Sequence, residues 1–283
     1  MFQYAFGVSL SQKLNRPLYF DLSFYKQGNH DLTERNFELN RFDIPIEAAT
    51  DEMIDRFLRP TDFRRVLNKL SLSRTNIYKE KTLRFNSQIF DLKPPVYVDG
   101  FWQCEQYFTN REEMIKKSFT FKEPLSEGSQ KVAAQIAALP ETVSVHVRRG
   151  DYVSSKPTND LHGVCSVEYY KEAMALISKR RDSPHFYFFS DDIQWVSDNL
   201  VSDVKNCTLV EHNTGADSWQ DMALMSKCKH HIIANSSFSW WGAWLNPSKV
   251  KIVIAPEHWF NKKSTYFDDR DLVPWNWIKM PNG

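Results

Sequence analysis

Thr142-Val143-Ser144-Val145-His146-Val147-Arg148-Arg149-Gly150-Asp151 reads as a short extended run that stops at an abrupt polar break. β-Branched residues fit a pleated strand, while two arginines, a glycine and an aspartate in a row do not continue a buried one. Working outward, Ser166 is placed to cap a helix whose Tyr169, Tyr170, Ala173, Met174 and Ile177 fall on one face. A strand over 186–189 follows, then the break Ser190-Asp191-Asp192, a short helix to about residue 200, and a strand over 207–210. Asp217 is expected to cap a helix running to residue 229, ahead of a strand over 231–234, a helix over 237–245 and a strand over 251–255. Five strands alternating with helices predict a parallel sheet, because parallel neighbours need crossover connections. Ligands bind such sheets beyond the carboxyl ends of the strands, which singles out residues 148–151, 190–192 and 235–239.

The first half is less regular. A helix over 1–15, a strand over 17–21, a turn and helix over 45–58, a strand over 96–102 and a helix over 105–118 are expected there, with the polar stretch 122–129 as linker.

Composition removes several function classes. The 283 residues carry 36 Lys and Arg against 35 Asp and Glu, a formal net charge of +1, and this near-balance without a long basic run argues against a nucleic-acid partner. No stretch approaches the ~20 apolar residues that cross a bilayer, and the N-terminus has no signal-peptide pattern. Cys104, Cys165, Cys207 and Cys228 form no C-x-x-C pair and read as buried thiols of a reducing compartment. The sequons at Asn206 and Asn235 are short enough to arise by chance. Neither common glycine-rich nucleotide loop is present, so a phosphate site must use side chains or a plain helix start.

Four segments carry the chemistry. Arg148 and Arg149 directly after a strand suit a diphosphate, since guanidinium stays charged and forks onto phosphate oxygens; an ordinary surface pair with Asp151 is the alternative. Asn235-Ser236-Ser237-Phe238-Ser239-Trp240-Trp241-Gly242 crosses from strand to helix with free amide groups and hydroxyls at the turn, either an anion site or a cap ahead of a buried aromatic helix. Asp191 and Asp192 sit at a third strand end, where they bind a ligand or begin the next helix. Asp221 has no local mark of function. Asp269-Arg270-Asp271 spells a metal clamp but follows no expected strand, and His230-His231 point to opposite faces of one.

Together, the segment 146–152, Phe186-Tyr187-Phe188-Phe189-Ser190-Asp191-Asp192, Asp221-Met222-Ala223-Leu224-Met225-Ser226, the segment 235–242 and Phe2-Gln3-Tyr4-Ala5-Phe6-Gly7 resemble the α-1,2-fucosyltransferases of glycosyltransferase family 11. The resemblance implies an α/β, GT-B-like fold: two Rossmann-like domains with a cleft between them, 1–122 on the acceptor side and 123–283 holding GDP-β-L-fucose. It implies that His146 and Asp221 contact guanine, Arg148 the β-phosphate, and Ser237 the phosphate site, with Ser236, Phe238, Arg149 and Asp191 beside the donor. It further implies inverting transfer of fucose to the 2-hydroxyl of a terminal β-galactoside without a metal or other cofactor, with Arg148 stabilising the departing GDP. Asp151, the nearest carboxylate in sequence, is the candidate base, with holding the arginines in place, or a base from the first domain, as the alternatives. Family members usually carry another strand and a glycine-rich loop before the 1–7 segment, so the first strand of the N-terminal domain is expected to be missing. A bacterial cytoplasmic enzyme of lipopolysaccharide or O-antigen synthesis follows, meeting the membrane only peripherally through a lipid-linked acceptor. A fucosyltransferase of another linkage and a non-catalytic carbohydrate-binding protein are the rival readings.

Overall fold

The structure is a computed structural model and describes residues 1–26, 37–59, 76–261 and 268–283. It divides into two compact units, Met1–Lys122 with Arg270–Leu272 and Glu123–Asp269 with Val273–Gly283. In the first, helix α1 (Phe2–Leu14) buries Phe2, Tyr4, Ala5, Phe6 and Leu10. Phe6 stacks on Trp102 with ring centroids 4.2 Å apart. The helix closes on Asn15 at φ 52°, a left-handed position that asparagine tolerates. Short α2 (Ser23–Lys26) follows, then α3 (Asp51–Leu58), whose Thr50 hydroxyl accepts the Met53 N–H at 3.2 Å. Strands β1 (Asn76–Lys79) and β2 (Val96–Asp99) pair in parallel, and α4 (Glu112–Ser118) completes the unit.

Two expectations for this unit are corrected. The strand over 17–21 reduces to a single bridge between Phe20 and Ala48. The helix over 105–118 breaks into two 3-10 turns, Glu105–Tyr107 and Thr109–Arg111, before α4. Burial of Tyr107 and Phe108 to 2% and 0% exposure turns the chain inward there, and packing overrides the local helical period.

The second unit opens with α5 (Glu127–Ala138), capped by the Ser126 hydroxyl, so the linker stops short of the expected 129. Strand β3 (Thr142–Val147) is buried at every position, as befits a strand with neighbours on both sides and helices on both faces. After it come α6 (Gly150–Ser154), α7 (Lys156–His162) and α8 (Val167–Arg180), capped by Ser166 as expected. The series continues with β4 (His185–Ser190), α9 (Ile193–Asn199), β5 (Cys207–Val210), α10 (Trp219–Lys227), β6 (His230–Ile232), α11 (Ser237–Leu245), β7 (Val253–Pro256) and β8 (Ile278–Met280). Asp217 does not cap α10; it ends a 3-10 turn, and Ser218 precedes the helix. Trp240, Trp241 and Trp244 are packing residues, as a buried aromatic helix requires, and Gly242 lets α11 approach α10, where an added Cβ would lie 3.1 Å from Met225.

All six strands of this unit are parallel, in the order β5-β4-β3-β6-β7-β8. Counted from β3 as first, that is the 3-2-1-4-5-6 order of the dinucleotide-binding fold, whose direction reverses between β3 and β6. The α/β class follows from the alternation, and the crevice at this reversal lies beyond Val147 and Ile232. Strand β8 escaped the sequence reading: three residues before a proline carry no measurable period.

Candidate functional site

Register builds the site. Val147 of β3 lies level with Ser190 of β4, so the residues just past each strand face one another. Arg148 reaches two carboxylates at once, Asp151 Oδ1 from Nη2 at 2.5 Å and Asp191 Oδ2 from Nη1 at 2.7 Å. The other oxygen of Asp191 accepts the Arg149 backbone N–H at 2.8 Å. Arg149 turns aside, its Nε donating to Asp192 at 3.1 Å and its guanidinium lying 4.2 Å from the centre of the Trp195 ring. Asp192 also caps α9 by accepting the Trp195 N–H at 3.2 Å. Of the two arginines, Arg148 is therefore cradled at the strand end and Arg149 fastens the loop to α9. Glycine at 150 is a requirement of this packing, because a Cβ there would sit 2.5 Å from Asp191 Oδ2.

The other side of the switch point is tied to the arginine loop through Tyr152. Its ring lies 5.5 Å from the Arg148 guanidinium carbon, and its hydroxyl donates to the Asn235 carbonyl at 3.1 Å. Asn235 is 1% exposed and its amide nitrogen spans the carbonyls of His162, Gly163 and Trp259 at 2.9, 3.3 and 3.2 Å. That burial makes it a structural brace and closes it to glycosylation. Ser236 caps α11, its hydroxyl accepting the Phe238 N–H at 3.3 Å, while Ser237 is exposed at the first turn. A helix start of this kind leaves N–H groups without an intrahelical partner in its first turn, where an anion finds a favourable dipole.

His146, the last polar residue of β3, is 6% exposed and packs its ring 5.6 Å from Phe238, joining the two sides of the switch point. Its Nδ1 is buried and has no hydrogen-bond partner among the described residues. Burial, helped by the nearby Arg148 charge, pushes its pKa down to about 3, so the ring is neutral at ordinary pH. Buried polar atoms in native proteins are nearly always paired, and an orphan at the mouth of a crevice points to a ligand that supplies the missing partner.

Asp221 stands in the first turn of α10, 8% exposed. Burial raises its pKa to about 7, against the effect of a hydrogen bond from Asn213 Nδ2 to its Oδ1 at 2.8 Å. Sequence reasoning had no local signal for Asn213, Ser129 or His212, which prove to stand behind this carboxylate. The aspartates of the D-x-D spelling have separate structural duties: Asp269 accepts the Trp259 N–H at 2.9 Å, and Asp271 holds Arg84 and the Phe85 N–H at 2.6 and 3.0 Å. His230 and His231 likewise serve the core, His231 with both ring nitrogens engaged at 2.8 Å by Ser144 and Asn246. No helix among the described residues is long and apolar enough to cross a membrane.

Comparison with known proteins shows the family. The model of the family described as Glycosyl transferase family 11 matches residues 59–280. An α-1,2-colitosyltransferase of Escherichia coli is 34% identical over 99% of this chain and 94% of its own length. The O-antigen biosynthesis glycosyltransferase WbnK of Escherichia coli is 32% identical over 99% and 96%. Human galactoside α-(1,2)-fucosyltransferase 1 is 31% identical over 55% of this chain and 44% of its own length. With a family model over most of its residues and relatives along nearly all of it, this chain is a glycosyltransferase of family 11.

Proposed function

We propose that the protein transfers L-fucose from GDP-β-L-fucose to the 2-hydroxyl of a terminal β-galactoside, with inversion, in bacterial O-antigen or lipopolysaccharide assembly on the cytoplasmic side. In this reading the second unit holds the donor and the first serves the acceptor, the division of labour of a GT-B enzyme. The observation that carries it is His146, neutral, buried and with an orphan Nδ1 beside Arg148 at the switch point of a dinucleotide-type sheet. His146 and Asp221 contact guanine, Arg148 meets the β-phosphate, and Ser236, Ser237 and Phe238 at the start of α11 lie against the same phosphates.

The C1–O bond to the β-phosphate breaks as the acceptor oxygen attacks from the opposite face, and the electron pair leaves with GDP. Arg148 and the helix start stabilise that growing charge, the largest single contribution in most such reactions, and the scheme includes no metal. Asp151 has its Oδ1 on Arg148, so it and Asp191 are assigned to aiming the guanidinium. The acceptor's proton passes to a base as the new bond forms, Asp151 or a residue of the first unit.

The decisive assay offers GDP-fucose and a panel of β-galactosides in excess EDTA, with linkage analysis of the product. Fucosylation at another position, or turnover that needs added Mn²⁺ or Mg²⁺, would refute the corresponding part of the reading. The similarity to an α-1,2-colitosyltransferase over nearly the full chain favours a second reading, in which the sugar lacks the 3-hydroxyl of fucose. Competition between the two GDP-sugars in the same assay separates them.

Gly150→Ala is expected to lower kcat/KM by about tenfold with little change in Tm, since the new methyl displaces Asp191 from Arg148 and a misplaced charge partner is costly. Unchanged turnover would show that Asp191 has no part in aiming the guanidinium.

Donor binding should also depend on pH. Guanine offers N–H donors, which an ionised carboxylate accepts. With the Asp221 pKa raised to about 7, GDP affinity is expected to fall about tenfold for each unit below pH 7. Stability has the opposite sign. The folded pKa exceeds the usual carboxylate value of 3.8, so the native state holds the proton more tightly and this group's contribution to folding declines as pH rises from about 4 to 7. Calorimetric titration of GDP from pH 5.5 to 8.5 checks this, and Asp221→Asn should flatten the curve.

A further inference from the structure

Behind Asp221 runs a chain of hydrogen bonds with a fixed direction. Asn213 Nδ2 donates to Asp221 Oδ1 at 2.8 Å, and Asn213 Oδ1 accepts from Ser129 Oγ at 3.0 Å. Ser129 Oγ in turn lies 3.0 Å from His212 Nε2. A serine hydroxyl carries one proton, which here points at Asn213, so Ser129 must accept from His212 Nε2–H. Every proton in the series points toward the carboxylate. Three elements contribute: the start of α5 and, 84 residues on from Ser129, the loop after β5 together with α10, into which it leads. They are braced again where Ser126 N–H donates to Gln220 Oε1 at 2.7 Å. Gly128 makes room for the imidazole, since a Cβ there would lie 3.1 Å from the ring.

The chain is expensive to bury. Ser129 is 0% exposed, Asn213 and Asp221 both 8%, and buried polar groups weaken a fold unless each is satisfied. A brace between α5 and the β5 loop needs only Ser129 and Asn213. Continuing it to a buried carboxylate, whose Oδ2 takes no partner among the described residues, makes sense where that second oxygen meets a ligand.

We propose that Asn213, Ser129 and His212 form a relay that aims Asp221 at the nucleobase and favours its charged form, and so determine the affinity for guanine. They are positioning residues; none touches the base. The inference rests on the GDP-sugar reading above. Along the relay His212 is the titratable group within reach, and burial and the Asn213 bond set the state of Asp221.

The test is calorimetric titration of GDP across pH 5.5–8.5 into the wild type, Asn213→Ala, Ser129→Ala and His212→Ala. Loss of a hydrogen bond to a charged group should raise Kd for Asn213→Ala at pH 7 by about tenfold and move its pH midpoint up by about one unit. Smaller displacements are expected for Ser129→Ala and then His212→Ala, because each lies a step further from the charge. A lower Tm with an unmoved pH midpoint would mean the chain serves packing alone and would overturn the inference. Should Asn213→Ala not fold, Ser129→Ala decides by the same criterion. Wild-type protein that prefers UDP or ADP to GDP would overturn the donor reading and the relay's assignment with it. Tight GDP binding unaffected by the variants would overturn the relay alone.

Discussion

Replacing Arg148 with alanine is expected to lower kcat/KM by on the order of 1,000-fold, at the upper end for loss of one preorganised charge partner. Two effects add. On the proposed reading the guanidinium that meets the departing diphosphate is gone, and Asp151 and Asp191, which held it at 2.5 and 2.7 Å, lose its positive charge while facing that same anion. The resting cluster already sets three carboxylates against two guanidiniums, Asp192 pairing with Arg149, so it has no surplus of positive charge to lose. Arg148→Lys should recover only part of the loss, because a single ammonium cannot fork to two carboxylates and a phosphate together. Adding Asp191→Asn to Arg148→Ala should recover activity several-fold by removing one of the stranded charges. Steady-state kinetics with GDP-fucose reads all three variants, and an Arg148→Ala enzyme retaining a third of wild-type kcat/KM would overturn the assignment.

The second large effect concerns stability. Asn235→Ala removes the donors that satisfy three backbone carbonyls around the switch point, at a residue 1% exposed. Buried carbonyls left unpaired cost about 1–3 kcal/mol each before relaxation, so a total near 3 kcal/mol is expected. For a unit of this size that lowers Tm by about 6–12 °C. Asn235→Asp, similar in shape, should be at least as harmful, since it sets acceptors against acceptors and places a carboxyl group where no water reaches. Thermal unfolding followed by circular dichroism checks both. A loss below about 1 kcal/mol in each would show that the amide is not the brace described. The site suffers as well, because the Asn235 backbone carbonyl anchors the hydroxyl of Tyr152 beneath Arg148.

Much of this architecture is legible in local pattern. Strand 207–210 and helix 237–245 match the structure at both ends, and the Ser166 cap stands where its spacing put it. These features depend on neighbours within one turn or one pleat, which the sequence displays directly. The helix expected over 105–118 failed because Tyr107 and Phe108 are drawn into a core that no local window contains. Asp217 looked like a cap by residue type, yet the backbone there forms a 3-10 turn instead.

The candidate site residues divide in the same way. Arg148 and the Ser236–Phe238 turn stood out because they sit at strand or helix ends, where chemistry and chain position coincide. The roles of His146 and Asp221 were reached only through family resemblance, and the relay behind Asp221 was not reached at all, because Ser129 and Asn213 are 84 residues apart in the chain.

From the sequence alone come the parallel α/β unit, the strand ends that face its crevice and the family to which the motifs belong, since each is written in short-range periodicity or contiguous residues. Tertiary structure alone decided which arginine is cradled, which asparagine braces the turn and what stands behind the buried aspartate. Those outcomes depend on register between strands and on contacts between distant segments, and no local pattern encodes either.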